Sequence, residues 1–419
     1  MKKNQPNSLS FFSLFDPRMR PKGSRDPLGS ESVWGHMGRR LVGNLTTVTS
    51  NLNNFFVSLL SCEYAHQNPN LELAEIQERF ARMEQLLAYV RYSIPTNGSN
   101  NGILGITKVK QRLESEQGRD NHIALGLTAP LLNNQLSMGL WGLYTPAMAR
   151  AELVEIDDRR LTTQGEELAN HFTSHLARVW RVLCQICDSG EFSPYQLEDL
   201  TAGFDGLLGN QANRTLLVES LIASNQSCNA QSALYIVANQ YLANQMEVET
   251  KSFLNYLTQC DDVLLKNHAN DINQVEPILV VNDAVFTWLQ GQHDEPVQKV
   301  VEKLNQRMNH NTYTVPDSPK SLPHRSFLVS SAQLLNDGHA EEYLQALLQH
   351  HREIMKRRNG AAWVEIRDDK VFVRVVSDVG KLPDAKDGFT SLSDIFENSY
   401  FLYSFLLIAQ EAINKEGKL

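Results

Sequence analysis

Residues Leu140–Ala169 read LWGLYTPAMARAELVEIDDRRLTTQGEELA, and the fold turns on how this stretch divides. Its first part continues an apolar-periodic run, Leu131–Ala149, that predicts a helix. Leu153-Val154-Glu155-Ile156 is a short β-type run, Asp157-Asp158-Arg159-Arg160 a polar turn, and Leu161-Thr162 a second brief strand. Thr163 and Glu166 have capping-box spacing, in which each side chain satisfies a free backbone N–H of the first helical turn. A helix is therefore expected to open there and run to Cys187. With a helix upstream at Ile106–Leu113, the expected order is helix, helix, two-stranded hairpin, helix.

That order, over residues 105–190, resembles bacterial winged-helix domains. In those a helix leads to a G/E-L-V strand and a charged wing tip, and L-T-x-x-G precedes the last helix; here the last residues are Leu161, Thr162 and Gly165. The resemblance implies DNA contact, with the second helix in the major groove and Lys/Arg side chains on phosphates. The recognition helix would be Asn133–Ala151, offering Asn133, Asn134, Gln135, Tyr144 and Arg150. Arg159 and Arg160 would form the wing, and Lys108, Lys110 and Arg112 a patch on the preceding helix. Yet Arg150 is that helix's one cation, and Trp141 and Tyr144 look built for packing. The alternative is an adaptor whose winged helix holds a partner protein through Trp141 and Tyr144.

Outward from this centre the chain reads as mainly α: multi-helical, with the winged helix embedded and a small β-hairpin near the C-terminus. Residues 1–30, rich in Pro, Gly, Ser and Arg, are expected to form a basic arm. Residues 31–104 form an N-terminal helical domain, with Ile76, Phe80, Met83, Leu87 and Val90 on one face of its third helix. Residues 191–350 carry 19 acidic and 8 basic side chains, a local charge of −11, and read as nearly all helix. The glycine-rich run Gly203–Gly209 is expected to be a loop. Residues 351–419 hold a basic helix end (Arg352, Lys356, Arg357, Arg358), a hairpin in Trp363–Val376 around Asp368-Asp369, and a last helix, Leu392–Asn414.

The whole chain resembles uncharacterised bacterial proteins encoded among mobile-element and phage-defence genes. The carrying residues are Asp26-Pro27-Leu28-Gly29, Leu45-Thr46-Thr47-Val48-Thr49, Trp141-Gly142-Leu143-Tyr144, and Arg358-Asn359-Gly360 with Trp363. This implies a subunit of a multi-protein system and carries no activity with it.

Composition excludes several classes. At 419 residues, 42% hydrophobic and net charge −9, the chain is a folded acidic protein. Its most apolar run, Phe401–Ala409, is about half the length a membrane span needs. No membrane association and a cytoplasmic location are expected. Five scattered cysteines imply no disulfide framework. Cys184-x-x-Cys187 lacks a second ligand pair, and His171-x-x-x-His175 lacks the adjacent Glu of a zinc protease, so no metal is expected. His350-His351 reads as part of the basic patch. With neither a phosphate-binding loop nor a nucleophile elbow, no catalytic residues and no cofactor are expected. The reading is a non-enzymatic, DNA-associated subunit that binds duplex DNA and other protein subunits.

Overall fold

The computed structural model describes residues 26–95, 102–116, 122–225, 228–244, 247–308, 312–317, 319–377, 379–392 and 395–413. It is mainly α, with two small antiparallel two-stranded sheets, the second of them the expected C-terminal hairpin. The basic arm falls outside the described residues up to 25. The chain forms two compact units. The first holds residues up to His36 and Asn270–Asn398, the second Met37–Ala269 and the residues from Ser399 on. The segments 31–104 and 105–190 thus lie almost wholly in one unit.

After α1 (Ser30–Arg39), the second unit is organised on α2 (Leu52–Ala65) and α3 (Leu73–Ser93). The α2 sequence LNNFFVSLLSCEYA is apolar nearly all round, and it is buried at almost every position. Phe55, Phe56, Leu59 and Leu60 are fully enclosed, each worth about 1.5–3 kcal/mol of transfer free energy. A capping box, Glu72 with Glu75, opens α3, and the expected face from Ile76 to Val90 is buried. Around this pair come α4 (Ile106–Glu116), β1 (Ile123–Ala124), α5 (Gln135–Met138), α6 (Leu140–Leu143) and α7 (Thr145–Arg150). They are followed by α8 (Thr163–Leu176), α9 (Arg178–Ser189) and β2 (Glu191–Phe192), which pairs with β1.

The hairpin of residues 153–162 is present as a single bridge, Val154 with Leu161. Glu155 N–H donates to the Arg160 carbonyl and Thr162 N–H to that of Leu153. Its neighbours differ from expectation. The recognition helix Asn133–Ala151 is three short helices, because Gly139 is extended (φ −90°, ψ −171°) and Pro146 opens a new first turn. A Cβ at Gly139 would lie 2.2 Å from the Gln135 carbonyl oxygen, so only glycine fits this break. The long helix after the hairpin is likewise two, divided at Ala177 with φ +48°. Its cap is Thr162 rather than Thr163: Oγ1 accepts from Gly165 N–H at 3.2 Å and donates to the Glu152 carbonyl at 2.5 Å.

The second unit continues with α10 (Glu198–Gly209), α11 (Gln211–Val218) running into a π-helical turn (Glu219–Ala223), α12 (Gln231–Ala243) and α13 (Thr250–Leu257). Gly203–Gly209, expected as a loop, is helical. Glycine there admits Val179, whose Cγ2 would stand 2.7 Å from a Cβ on Gly203. The long α14 (Val263–Leu289) leads into the first unit, which adds α15 (Val297–Asn305), α16 (Arg325–Asp337) and α17 (Ala340–Arg357). Then β3 (Val364–Arg367) and β4 (Lys370–Val373) pair in the register Val364 with Val373. Asp368 and Asp369, at φ +49° and +56°, form the left-handed pair that a two-residue hairpin turn requires. The last helix, α18 (Leu402–Gln410), is shorter than expected and belongs to the second unit.

Candidate functional site

The hairpin segment brings few of its expected contact groups to the surface. Tyr144 is 2% exposed; its ring packs edge-on against Phe55 at 4.9 Å, and its hydroxyl donates to the Val48 carbonyl. Trp141 is 8% exposed and packs edge-on against Phe80. Both are core residues, which corrects their expected roles as DNA or partner contacts. Gln135 is buried too, its Oε1 accepting from Leu131 and Leu132 N–H groups. Asn133 and Asn134 are exposed, and Asn134 caps α5.

The cations are similarly engaged. Lys108 and Arg112 donate to the carbonyls of Ala129 and Pro130, holding that loop on α4. Lys110 faces Glu114 one turn on, and Arg160 pairs with Asp158 at 3.4 Å. Arg159, the expected wing cation, turns inward. Its Nε donates to Thr145 Oγ1 at 2.8 Å, and the guanidinium lies 5.8 Å from the Trp141 ring centroid. Its Nη1 is buried with no acceptor among the described residues. Arg150 is exposed. A left-handed backbone at Arg159 (φ +63°) aims the side chain inward, and no propensity in DDRR announces it.

The two pairs with metal-ligand spacing are engaged otherwise. His171 Nε2 lies 2.9 Å from Asn213 Oδ1, and Asn213 Nδ2 lies 3.4 Å from His175 Nδ1, so one amide occupies both imidazoles. Burial pushes the Cys184 thiol up to about 11 and Cys187 well above its usual value, which keeps both protonated. Among the described residues no three His, Cys, Asp or Glu side chains are placed to hold a metal ion. On the opposite face of α3 from solvent, Glu84 accepts from Leu140 N–H at 2.8 Å, and burial pushes its carboxyl up to about 7. Its Oε2 has no partner among the described residues, beside a cavity of about 10 Å³ that Arg91 and Asn54 also line. That volume holds about one water.

A spacious concavity lies elsewhere, in the first unit. Between α16 and α17 runs an open groove of about 670 Å³, with Arg325, Phe327 and Ser330 on one wall and Gln349, His350, Glu353 and Arg357 on the other. The two helices form an antiparallel pair because Gly338, in the left-handed region, turns the chain between them. Phe327 lies flat on His350, ring centroids 3.8 Å apart and planes within 3°. His350 and His351, expected in a basic patch, are instead buried and neutral. Burial pulls each down to about 4, while Leu28 and Pro27 carbonyls accept from them. Sequence reading missed this groove: α16 has no motif, and the pairing of Phe327 with His350 spans two helices. The basic end of α17 was the one visible sign.

No family model, curated protein or solved structure matches the chain. No helix among the described residues is long and apolar enough to cross a membrane.

Proposed function

We propose that the chain is a non-enzymatic protein–protein adaptor within a larger assembly, and that its hairpin segment meets a protein surface rather than duplex DNA. The observation that carries this reading is the inward setting of Arg159, bonded to Thr145 beside Trp141. A polyanion needs several unpaired cations on one face, since affinity for duplex DNA rises with each phosphate neutralised. Here Lys108 and Arg112 serve backbone carbonyls, and Lys110 and Arg160 stand beside carboxylates. The same segment leaves apolar side chains outside: Ile156 on the hairpin is 70% exposed, and Met138 on α5 about half. An exposed isoleucine at the hairpin tip offers apolar contact to a protein and nothing to a phosphate.

Duplex DNA binding is measured by salt titration for the wild type and for Lys110→Ala/Arg150→Ala/Arg160→Ala. The adaptor reading expects no binding at about 50 mM salt, or binding whose salt slope the triple substitution leaves unchanged. A slope reduced by about one unit per removed cation would return the case to DNA. In parallel, a protein that co-purifies with the wild type should be lost with Ile156→Asp, while the unfolding transition stays in place.

A further inference from the structure

We propose that the groove between α16 and α17 binds a small ligand joining a phosphate monoester to a flat aromatic ring, the chemistry of a mononucleotide. The groove is open and about 670 Å³, inside the range of roughly 300–1,000 Å³ that small-molecule sites occupy. Its chemistry is divided along its length. At one end stand two guanidiniums. Arg357 is exposed and has no hydrogen bond or ion pair among the described residues. Arg325 is held by the Pro316 carbonyl and by Asp317, whose carboxylate is fully exposed at 3.3 Å. An exposed ion pair of that kind is worth little, so a phosphate can displace Asp317. Guanidinium forks match phosphate oxygens in geometry as well as charge.

Farther along are an aromatic wall and a polar edge. Phe327 is half-buried and lines the groove, and its flat contact with His350 fixes the ring plane. A fixed aromatic ring is a stacking platform for a base. The Gln349 amide donates to Glu353 Oε1 at 2.9 Å, which places an amide and a carboxylate where ring or sugar donors would come. Glu353 and Asp317 also argue for one phosphate rather than a strand, because a continuous phosphate backbone would run against both carboxylates. The cationic end already acts on His324, at the same wall. Burial and the charges of Arg357 and Arg358 hold that imidazole below its usual value, against the opposing pull of Asp26.

The test uses the full chain and four probes: AMP, CMP, adenosine and inorganic phosphate, titrated by calorimetry, with the His324 imidazole followed by NMR. AMP or CMP is expected to bind saturably at millimolar concentration or better, more tightly than adenosine or phosphate alone. Binding should raise the His324 titration midpoint. Arg357→Ala, at an exposed position, should weaken the nucleotide at least about 10-fold and leave adenosine unchanged, the loss of one charge-assisted contact. Phe327→Leu should weaken nucleotide and adenosine alike. The proposal is overturned if no mononucleotide saturates the protein by about 10 mM, or if Arg357→Ala leaves its affinity intact. It is equally overturned if a single-stranded oligonucleotide binds where mononucleotides do not. None of these outcomes depends on the adaptor reading, whose residues lie in the other unit.

Discussion

His351 shows how far a single imidazole can be determined by its neighbours. Its Nδ1 lies 2.9 Å from the Pro27 carbonyl, and its Nε2 accepts the Trp363 N–H at 2.8 Å. The ring must therefore be neutral with its proton on Nδ1, since a second proton would break the bond to Trp363. Burial holds both His351 and His350 near 4, whereas in the unfolded chain they titrate near 6.5. Between those values the unfolded state binds more protons. The stability they contribute is complete above pH 6.5 and is lost as pH falls through about 4. Asp283 works in the opposite sense. Burial lifts its carboxyl to about 7, with Ser30 Oγ donating at 2.9 Å and Asp26, Glu397 and Glu276 adding like charge. Its contribution is complete below about 3.8 and is lost as pH rises through about 7. Asp283→Asn should accordingly raise the melting temperature at pH 8 and leave it nearly unchanged at pH 4. A gain that is the same at both values would contradict this. NMR should find His351 as the Nδ1–H tautomer at pH 6; a ring titrating near 6.5 would be inconsistent with the geometry. In the sequence, His350-His351 beside Arg352 is indistinguishable from a surface patch, because the carbonyls that hold both rings lie more than 300 residues away.

At the scale of the element, the hairpin and the helix after it are tied by one close approach. A Cβ on Gly165 would lie 2.0 Å from the Leu153 carbonyl oxygen, so the first turn of α8 can sit against the hairpin only with glycine there. Gly165→Ala should cost at least about 2 kcal/mol in denaturant unfolding, a backbone collision with no side-chain escape. Thr162→Ala should cost about 1 kcal/mol, the usual loss of a cap. Arg159→Ala should cost about 1 kcal/mol, and Arg160→Ala less than about 0.5 kcal/mol, since one is packed and the other paired at the surface. Equal effects for the two arginines would reject the inward setting. The hairpin was legible because β-type residues flank a polar turn, and α3 because Ile76, Phe80, Met83, Leu87 and Val90 recur at the helical period. The division of 133–151 was less so. Leu136, Leu140 and Leu143 keep helical phase across Gly139, so that break shows only in the backbone collisions a Cβ would make there, whereas Pro146 marks the second break in the sequence itself. Site residues fared worse for a related reason: Trp141 and Tyr144 look alike whether their partner is Phe80 and Phe55 or another protein.

For the molecule as a whole, local charge follows the sequence while the compact units do not. The −11 segment 191–350 is shared between the two units, so a domain map drawn from composition cuts across both. Helix content survives that error, because it depends on spacing within about 20 residues; unit membership depends on partners hundreds of residues apart. The thiols and imidazoles at large support a further expectation: elemental analysis of the purified chain should find well below one zinc per molecule, unaltered in Cys184→Ser. One zinc per chain, lost in that variant, would overturn it. The first unit is assembled from residues up to His36 and from Asn270–Asn398, with most of the second in between. During synthesis, Asp26 and Ser30 therefore leave the ribosome before Arg358 and Asp283 exist. At about 5–20 residues per second the interval from residue 36 to residue 270 is roughly 10–50 s, time enough for α2, α3 and their neighbours to pack. The early segment must stay uncommitted throughout, and any translational pause past residue 270 lengthens its exposure to proteases and chaperones.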